Sequence, residues 1–403
     1  MVNTMTDLQG KIILVTVSGP DYPGITSRLM RIIADFNVGI RDMGQAVTHG
    51  LLSLSFVLEL NSDDQNNSSG AVLKDLLFEA NKLGLSLSYK VVDSIVKNEN
   101  LQDEKFVVTC VAPTTITSSF VADLAKILAD HKINIERIDK VSPDEFSSLE
   151  IVTSLPVSLT WDKLKEELLK VSTLHKIDVA FLKDNVFRRN KRLIVFDMDS
   201  TLIQTEVIDE LAELAGAGEE VKAVTHRAMN GEIDFDESLR LRVSKLKGLK
   251  QEKLQEVLER LPLTPGVEEF ISTIKALGYK VALISGGFTF FSDALKKRLN
   301  LDYSFANELE IVNGELTGKV KGTIVNANQK AILVKLIAQQ ENISLEQVVA
   351  IGDGANDLPM LATAGLGIAF HAKDIVRRQA QNHMSHGPMT SILYFLGIPG
   401  PRA

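Results

Sequence analysis

Apolar residues recur along this chain with more than one period, and the changes of period outline its parts. An apolar strand, Ile12 to Val17, leads into the turn Gly19-Pro-Asp-Tyr-Pro-Gly24. Ile25, Leu29, Ile32, Ile33 and Phe36 then fall at the helical spacing of one buried face. Two strand-like runs follow, with His49-Gly50 as the hairpin between them. After a polar surface loop over Asn61 to Gly70 come a helix over 71–83 and a strand over 85–96. The order is βαββαβ, and it predicts a first domain over residues 10–96.

A second copy of this pattern begins at Lys105. The stretch Ile32-Ile-Ala-Asp-Phe-Asn-Val-Gly-Ile40 aligns with Ile127-Leu-Ala-Asp-His-Lys-Ile-Asn-Ile135 at an offset of 95 residues, and Leu29 corresponds to Leu124. A helix over 158–171 and a strand over 174–182 complete a second domain, residues 105–183. The polar, charged run Asp184 to Arg192 reads as a solvated linker.

From Leu193 the pattern changes again. Four short apolar runs, Leu193 to Phe196, Val281 to Ile284, Val348 to Ile351 and Leu366 to Ala369, alternate with helical stretches. Such runs are too apolar for surface helices and predict a parallel sheet covered on both faces, in a domain over 193–397. A helix-rich insertion over 206–261 contains no good strand and reads as a cap over the strand ends. The fold class is therefore α/β, a Rossmann-like parallel sheet with a helical cap, preceded by two βαββαβ domains of α+β type.

Composition narrows the function. A net charge of −8 with scattered basic residues argues against nucleic acid as the main partner. No apolar run approaches the ~20 residues that span a bilayer, so no membrane partner and a cytoplasmic location are expected. The lone cysteine, Cys110, sits in the apolar run Phe106 to Val111 and reads as a reduced core thiol.

The candidate chemistry gathers at strand ends. Asp197 and Asp199 emerge where the run Leu193 to Phe196 stops, the carboxyl end at which open α/β sheets place ligands. Ser285-Gly-Gly287 follows a second apolar run, Lys330 lies just inside a helix, and Gly352-Asp-Gly-Ala-Asn-Asp357 follows a third run. An aspartate pair alone would be weak evidence, since such pairs also cap helices or bind calcium. Together the four motifs, in this order, resemble those of the haloacid dehalogenase-like phosphohydrolases over Leu193 to about Leu396. Glu206, Arg242 and the second glycine after Ser285 are similar to the phosphoserine phosphatases within that superfamily. Both N-terminal copies resemble ACT domains, as in the long forms of those enzymes.

The resemblance implies hydrolysis of O-phosphoserine to serine and phosphate, the last step of serine biosynthesis. Uncatalysed phosphomonoester hydrolysis needs up to ~10²¹-fold acceleration, so several devices must act together. Asp197 would be the nucleophile and form an aspartyl phosphate. Asp199 would protonate the leaving oxygen and then deprotonate the attacking water. Ser285, Gly286 and Lys330 would hold the phosphoryl oxygens, with Asn356 orienting Lys330 or touching phosphate. The family pattern assigns Mg²⁺ to Asp197, the backbone carbonyl of Asp199 and Asp353, with Asp357 behind them. Glu206 would read the substrate ammonium, and Arg242, in preference to Arg240, its carboxylate. Met229 and Phe235 could supply an apolar lid, His226 and His371 are not needed for proton transfer, and Ser200 and Thr201 shape the loop.

ACT resemblance implies serine or another amino acid as a ligand and a homo-oligomer. Asp21, Pro23 and Gly24 would frame helix amides for a carboxylate, whereas Ile116 to Ser119 in the second copy lacks the glycine. Dimerisation alone is the alternative for these domains. For the whole chain the alternatives are a phosphatase or phosphotransferase on another small phosphomonoester, or an amino-acid-sensing binding protein with an inactive phosphatase-like half.

Overall fold

Strand β1 (Ile12–Pro20) alternates in burial, with Ile13, Val15 and Val17 inside, as a half-buried strand should. The computed structural model describes residues 12–60, 68–92, 101–142, 147–156, 159, 161–229 and 232–398. It separates into two units that divide after Glu99. In the first unit β1 pairs antiparallel with β3 (Leu51–Glu59) and β4 (Ser86–Val92), and β3 with β2 (Gly39–Thr48). His49 and Gly50, with φ of 49° and 75°, form the hairpin between β2 and β3. The helices Ile25–Asp35 and Ser68–Lys82 bring Leu29, Ile33, Val72 and Leu76 onto one sheet face. Most of the expected loop over 61–70 lies outside the described residues, and the helix after it begins at Ser68.

The second unit opens on the repeat. Strands β5 (Leu101–Val111), β6 (Asn134–Lys140), β7 (Ser148–Pro156) and β8 (Asp178–Lys183) take the order β6-β7-β5-β8, matching β2-β3-β1-β4 in the first unit. The two helices of the repeat are Ser118–Asp130 and Trp161–His175. The second helix thus ends four residues beyond the expected 158–171, and β8 starts four residues late and ends one beyond the expected 174–182. Leu164, Leu168, Val171 and Ser172 form the buried stripe, and Lys176, at φ 54°, turns the chain out of the helix. Cys110 is buried in this core, and burial pushes its thiol well above the usual range.

All of β7 is buried, because the reverse face of this sheet is covered too. Val111, Ala180 and Leu182 join the core of the large sheet that follows. Polar links reinforce the joint. Buried Asp178 accepts hydrogen bonds from the amides of Ser385 (2.7 Å), His386 (3.1 Å) and Gly387 (3.3 Å). Asn382 Oδ1 accepts from the Phe181 amide at 3.2 Å. The run 184–192 is solvated as expected at Asp184, Arg189, Asn190 and Arg192, but two of its cations are buried. Arg188, 6% exposed, donates to both oxygens of Glu150 at 2.8 and 3.1 Å, and Lys191, 7% exposed, donates to the Glu346 carbonyl. Glu150 on β7 thus takes buried Arg188 out of what looked like a wholly solvated basic run.

The large sheet has the order β12-β11-β10-β9-β13-β14-β15. Its strands are β9 (Leu193–Phe196), β10 (Lys280–Phe288), β11 (Tyr303–Val312), β12 (Glu315–Lys321), β13 (Val348–Gly352), β14 (Leu366–Phe370) and β15 (Asn382–Met384). All pair parallel except β11 with β12. The four expected strands form its middle; the β11–β12 hairpin and edge strand β15 were not anticipated. Helices cover both faces, with Phe270, Ile274 and Phe291 on one and Val334, Ile337 and Met360 on the other. Strand β9 is central, and connections leave it in opposite directions, so a crevice opens at its carboxyl end.

The insertion folds as helices Val207–Leu214, Gly218–Met229, Phe235–Ser244 and Glu252–Arg260. Entry and exit run side by side: Gln204 N–H donates to the Pro262 carbonyl and Thr264 N–H to the Leu202 carbonyl. Among the described residues no helix is long and apolar enough to cross a membrane.

Candidate active site

The Asp197 amide still donates to the Ile351 carbonyl at 2.9 Å, so β13 fixes the backbone that carries the first carboxylate. Beyond it the chain curls through Met198–Leu202, with Ser200 in the left-handed region at φ 56°. That turn brings Asp199 back under the cap, where its Oδ1 accepts from the Val207 amide at 3.0 Å, at the start of a helix. Ser200 Oγ donates to Glu206 at 3.1 Å and Thr201 Oγ1 to Asp353 at 3.0 Å. The small polar residues of this loop therefore hold the acids around it in place.

Lys330 is fully buried and donates to Asp197 Oδ1 and Asp357 Oδ1, both at 2.6 Å. Asp357 spends its other oxygen on the Gly354 amide at 3.0 Å. It is Asp357, rather than Asn356, that orients Lys330. Asn356 lies beside them in the same turn. Asp197, Asp353 and Asp357 each offer a carboxylate oxygen within 4.8 Å of the others.

On the far side of Asp197, Ser285 is buried and its Oγ accepts from the Gly287 amide at 2.9 Å. A methyl group added at Gly287 would lie 2.7 Å from Asp199 Oδ2, so the second glycine is what lets this loop pass the aspartate. At Gly286 the added carbon would meet Phe235 Cζ at 2.9 Å, which puts the cap's Phe235 directly over the loop. The side chain of Met229 lies outside the described residues.

Glu206 begins the first cap helix, and Arg242 faces it from the third. The Arg242 Nε is buried without a hydrogen-bond partner among the described residues, whereas Arg240, two positions away, is exposed. An unmatched guanidinium nitrogen beside an acid leaves the cap side able to bind both an anion and a cation.

Electrostatics sharpen this picture. Burial, then the neighbouring Asp357, push Asp197 up to about 8 against the pull of Lys330. Burial and Asp357 likewise raise Asp353 to about 7. Asp199 lies well above the carboxylate range, through burial, Glu206 and Asp197, and burial raises Glu206. Burial alone would lower Lys330, but Asp197 and Asp357 reverse that and hold it charged. Five crowded acids thus share two cations, so the pocket is short of positive charge. It suits a carboxylate nucleophile, a proton-carrying acid, a metal ion and a dianionic group brought together.

Asp197, Asp199, Glu206, Arg242, Ser285, Lys330, Asp353 and Asp357 meet here with Phe235 beside them, whereas Arg240 and His226 are exposed and His371 contacts the Gly387 carbonyl at 2.9 Å. Asn307 was missed, and Thr201, expected only to shape the loop, also donates to Asp353. Thr201 sits inside a motif already noted, while Asn307 lies on the unanticipated β11.

Comparisons with known proteins place the chain among its relatives. Residues 191–365 match the haloacid dehalogenase-like hydrolase family and residues 11–90 the ACT domain. A phosphoserine phosphatase of Mycobacterium tuberculosis is 38% identical over 386 residues, 96% of this chain and 93% of that protein. One from Streptomyces coelicolor is also 38% identical, covering 96% and 92%. The crystal structure of a probable phosphoserine phosphatase from Vibrio cholerae superposes with a TM-score of 0.57 at 40% identity, over 76% of this chain and 88% of that one.

Proposed function

We propose that this chain, which belongs to the phosphoserine phosphatases of the haloacid dehalogenase-like hydrolases, hydrolyses O-phosphoserine to serine and inorganic phosphate through an aspartyl phosphate on Asp197. The observation that carries the reading is the pairing, across one crevice, of the Asp197–Lys330–Asp357 cluster with Glu206 and Arg242 on the cap. The first set handles a phosphoryl group, and the second matches the ammonium and carboxylate of an amino acid.

Asp197 attacks phosphorus, and the bond to the serine oxygen breaks as Asp199 gives that oxygen its proton. Asp199 suits this step because burial, Glu206 and Asp197 raise its proton affinity well above the ordinary carboxylate range, which favours the proton-carrying form an acid needs. Water then attacks the same phosphorus, returning a proton to Asp199, and the bond to Asp197 breaks to free phosphate. Lys330, Ser285 Oγ and the Gly286 amide hold the phosphoryl oxygens as charge moves between them. Phe235 over Gly286 shields the acyl phosphate from bulk water until serine has left.

The donors fit a divalent cation. Hard carboxylate oxygens converge where protons bind unusually tightly for want of positive charge. Asp197, the Asp199 carbonyl and Asp353 would hold Mg²⁺, with Asp357 behind them, where its oxygens accept from Lys330 and the Gly354 amide. When bound, the ion offsets the charge of phosphate against that of the attacking carboxylate.

The first ACT module is the better candidate for an amino-acid ligand such as serine. Its helix starts at Gly24, in a left-handed conformation without a side-chain cap, whereas Thr117 caps the equivalent helix of the second copy by accepting from the Phe120 amide. A panel of phosphorylated metabolites tests the substrate, with O-phosphoserine expected among the best. Asp197→Asn is expected to abolish turnover, and retained turnover would sink the covalent mechanism.

A further inference from the structure

The loop Ser285–Gly287 and the helix Ala327–Gln340, which carries Lys330, must present their groups to one phosphoryl unit. They are separate in sequence, and neither strand pairing nor helix packing alone fixes one against the other. Parallel pairing of β10 with β11 runs from Ala282–Tyr303 to Ile284–Phe305, then shifts register before resuming at Phe288–Asn307. The Gly286 carbonyl falls within this interruption and needs another donor. Asn307 supplies it.

Asn307 is 1% exposed. Its Nδ2 donates to the Gly286 carbonyl at 2.8 Å, and its Oδ1 accepts from the Val325 amide at 2.8 Å. Carbonyl on one side and amide on the other also settle which way round the side-chain amide lies. Val325 directly precedes Asn326, the capping residue of the Lys330 helix, whose Oδ1 accepts from Gln329 at 3.1 Å. Asn326 Nδ2 in turn donates to Asp236 of the cap at 3.0 Å. Through one planar amide, the loop that offers the Gly286 N–H is tied to the segment that aims Lys330.

From this arrangement we infer that Asn307 is a positioning residue for phosphoryl transfer, setting the Ser285–Gly286 loop and the Lys330 helix at the spacing the transferring group requires. The inference rests on the roles proposed above for those residues. An amide is suited to the task because it joins one donor and one acceptor rigidly. Aspartate of the same shape lacks the donor, and alanine lacks both. Small misplacements of such groups cost rate far more than affinity, since the phosphoryl oxygens gain charge only as the reaction proceeds.

The test uses the full-length protein and two substrates, O-phosphoserine and p-nitrophenyl phosphate. Asn307→Asp and Asn307→Ala are each expected to lower kcat about 10- to 100-fold, somewhat below the loss of a direct oxyanion donor, with KM changing less than about threefold. The fall should appear on p-nitrophenyl phosphate too, because Asn307 acts on the phosphoryl end. A substrate panel in which O-phosphoserine did poorly would thus refute the substrate without touching this inference. Combined with Ser285→Ala, Asn307→Ala should cost clearly less than the product of the single effects, as expected of residues acting through one loop. Should Asn307→Ala fail to fold, the isosteric Asn307→Asp, which still accepts from Val325, decides the matter. A kcat within threefold of wild type in a folded Asn307→Asp variant, or full additivity with Ser285→Ala, would overturn the inference.

Discussion

Replacing Asp178 with asparagine should loosen the second ACT-like module from the phosphatase sheet. The carboxylate is fully buried and accepts three backbone N–H groups of the segment Ser385–Gly387, two at good length and one long. Hydrogen bonds to a charged group contribute about 1.5–3 kcal/mol each. Burial nonetheless raises the Asp178 proton affinity over the opposing pull of those amides, so desolvation offsets part of the gain. Asparagine keeps one accepting oxygen and turns an NH₂ group toward the remaining donors. A net loss of about 2–4 kcal/mol follows. The chain's single tryptophan provides the assay, because Trp161 lies in this module and packs against Phe106 and Phe181 at 5.1 and 5.6 Å. In urea, tryptophan fluorescence should follow the module and phosphatase turnover the sheet. Wild type should lose both together, whereas Asp178→Asn should lose the fluorescence signal first. Separate transitions in wild type, or a shift below about 1 kcal/mol in the variant, would refute the reasoning.

Two further outcomes follow. Arg242→Lys keeps the charge but loses the planar fork, so KM for O-phosphoserine should rise about tenfold or more while p-nitrophenyl phosphate kinetics barely change; equal effects on both substrates would remove Arg242 from carboxylate recognition. Burial, then Arg377, hold His383 down to about 4 against an ordinary value of 6.5. The unfolded chain therefore binds a proton that the folded chain refuses, and stability present above pH 6.5 falls as pH drops toward 4, by roughly 3 kcal/mol at most. His383→Gln should flatten that part of the curve in urea titrations run between pH 7 and 4.

What the sequence revealed tracks how locally each feature is determined. Strands β9, β10, β13 and β14 stood out because a strand buried on both faces must be apolar throughout, and Asp197 after β9, Ser285 in β10 and Asp353 after β13 broke those runs abruptly. Strand β11, by contrast, mixes polar and apolar positions beside an antiparallel edge, and β15 has only three residues. Arg188 and Lys191 looked solvated because Glu150 and Glu346, which receive them, lie far away along the chain. Asn307 gave no signal at all, since both its partners are backbone groups that any residue carries. Likewise, Asn356 was the residue expected to orient Lys330 and Asp357 was expected only behind the metal, because the spacing does not show which side chain the turn at Gly354 places against the lysine.

The captured sheet face of the second repeat bears on how such a protein can be rearranged over generations. Glu150 and Asp178 belong to one module, while the arginines and amides they satisfy belong to the linker and to the phosphatase. A recombination event that swapped this module for an unrelated one would strand Arg188 and three amides unless the newcomer brought acids at the same two places. The second repeat and the enzyme behind it are therefore one heritable block, in which a drift at either acid must be answered on the other side of the seam.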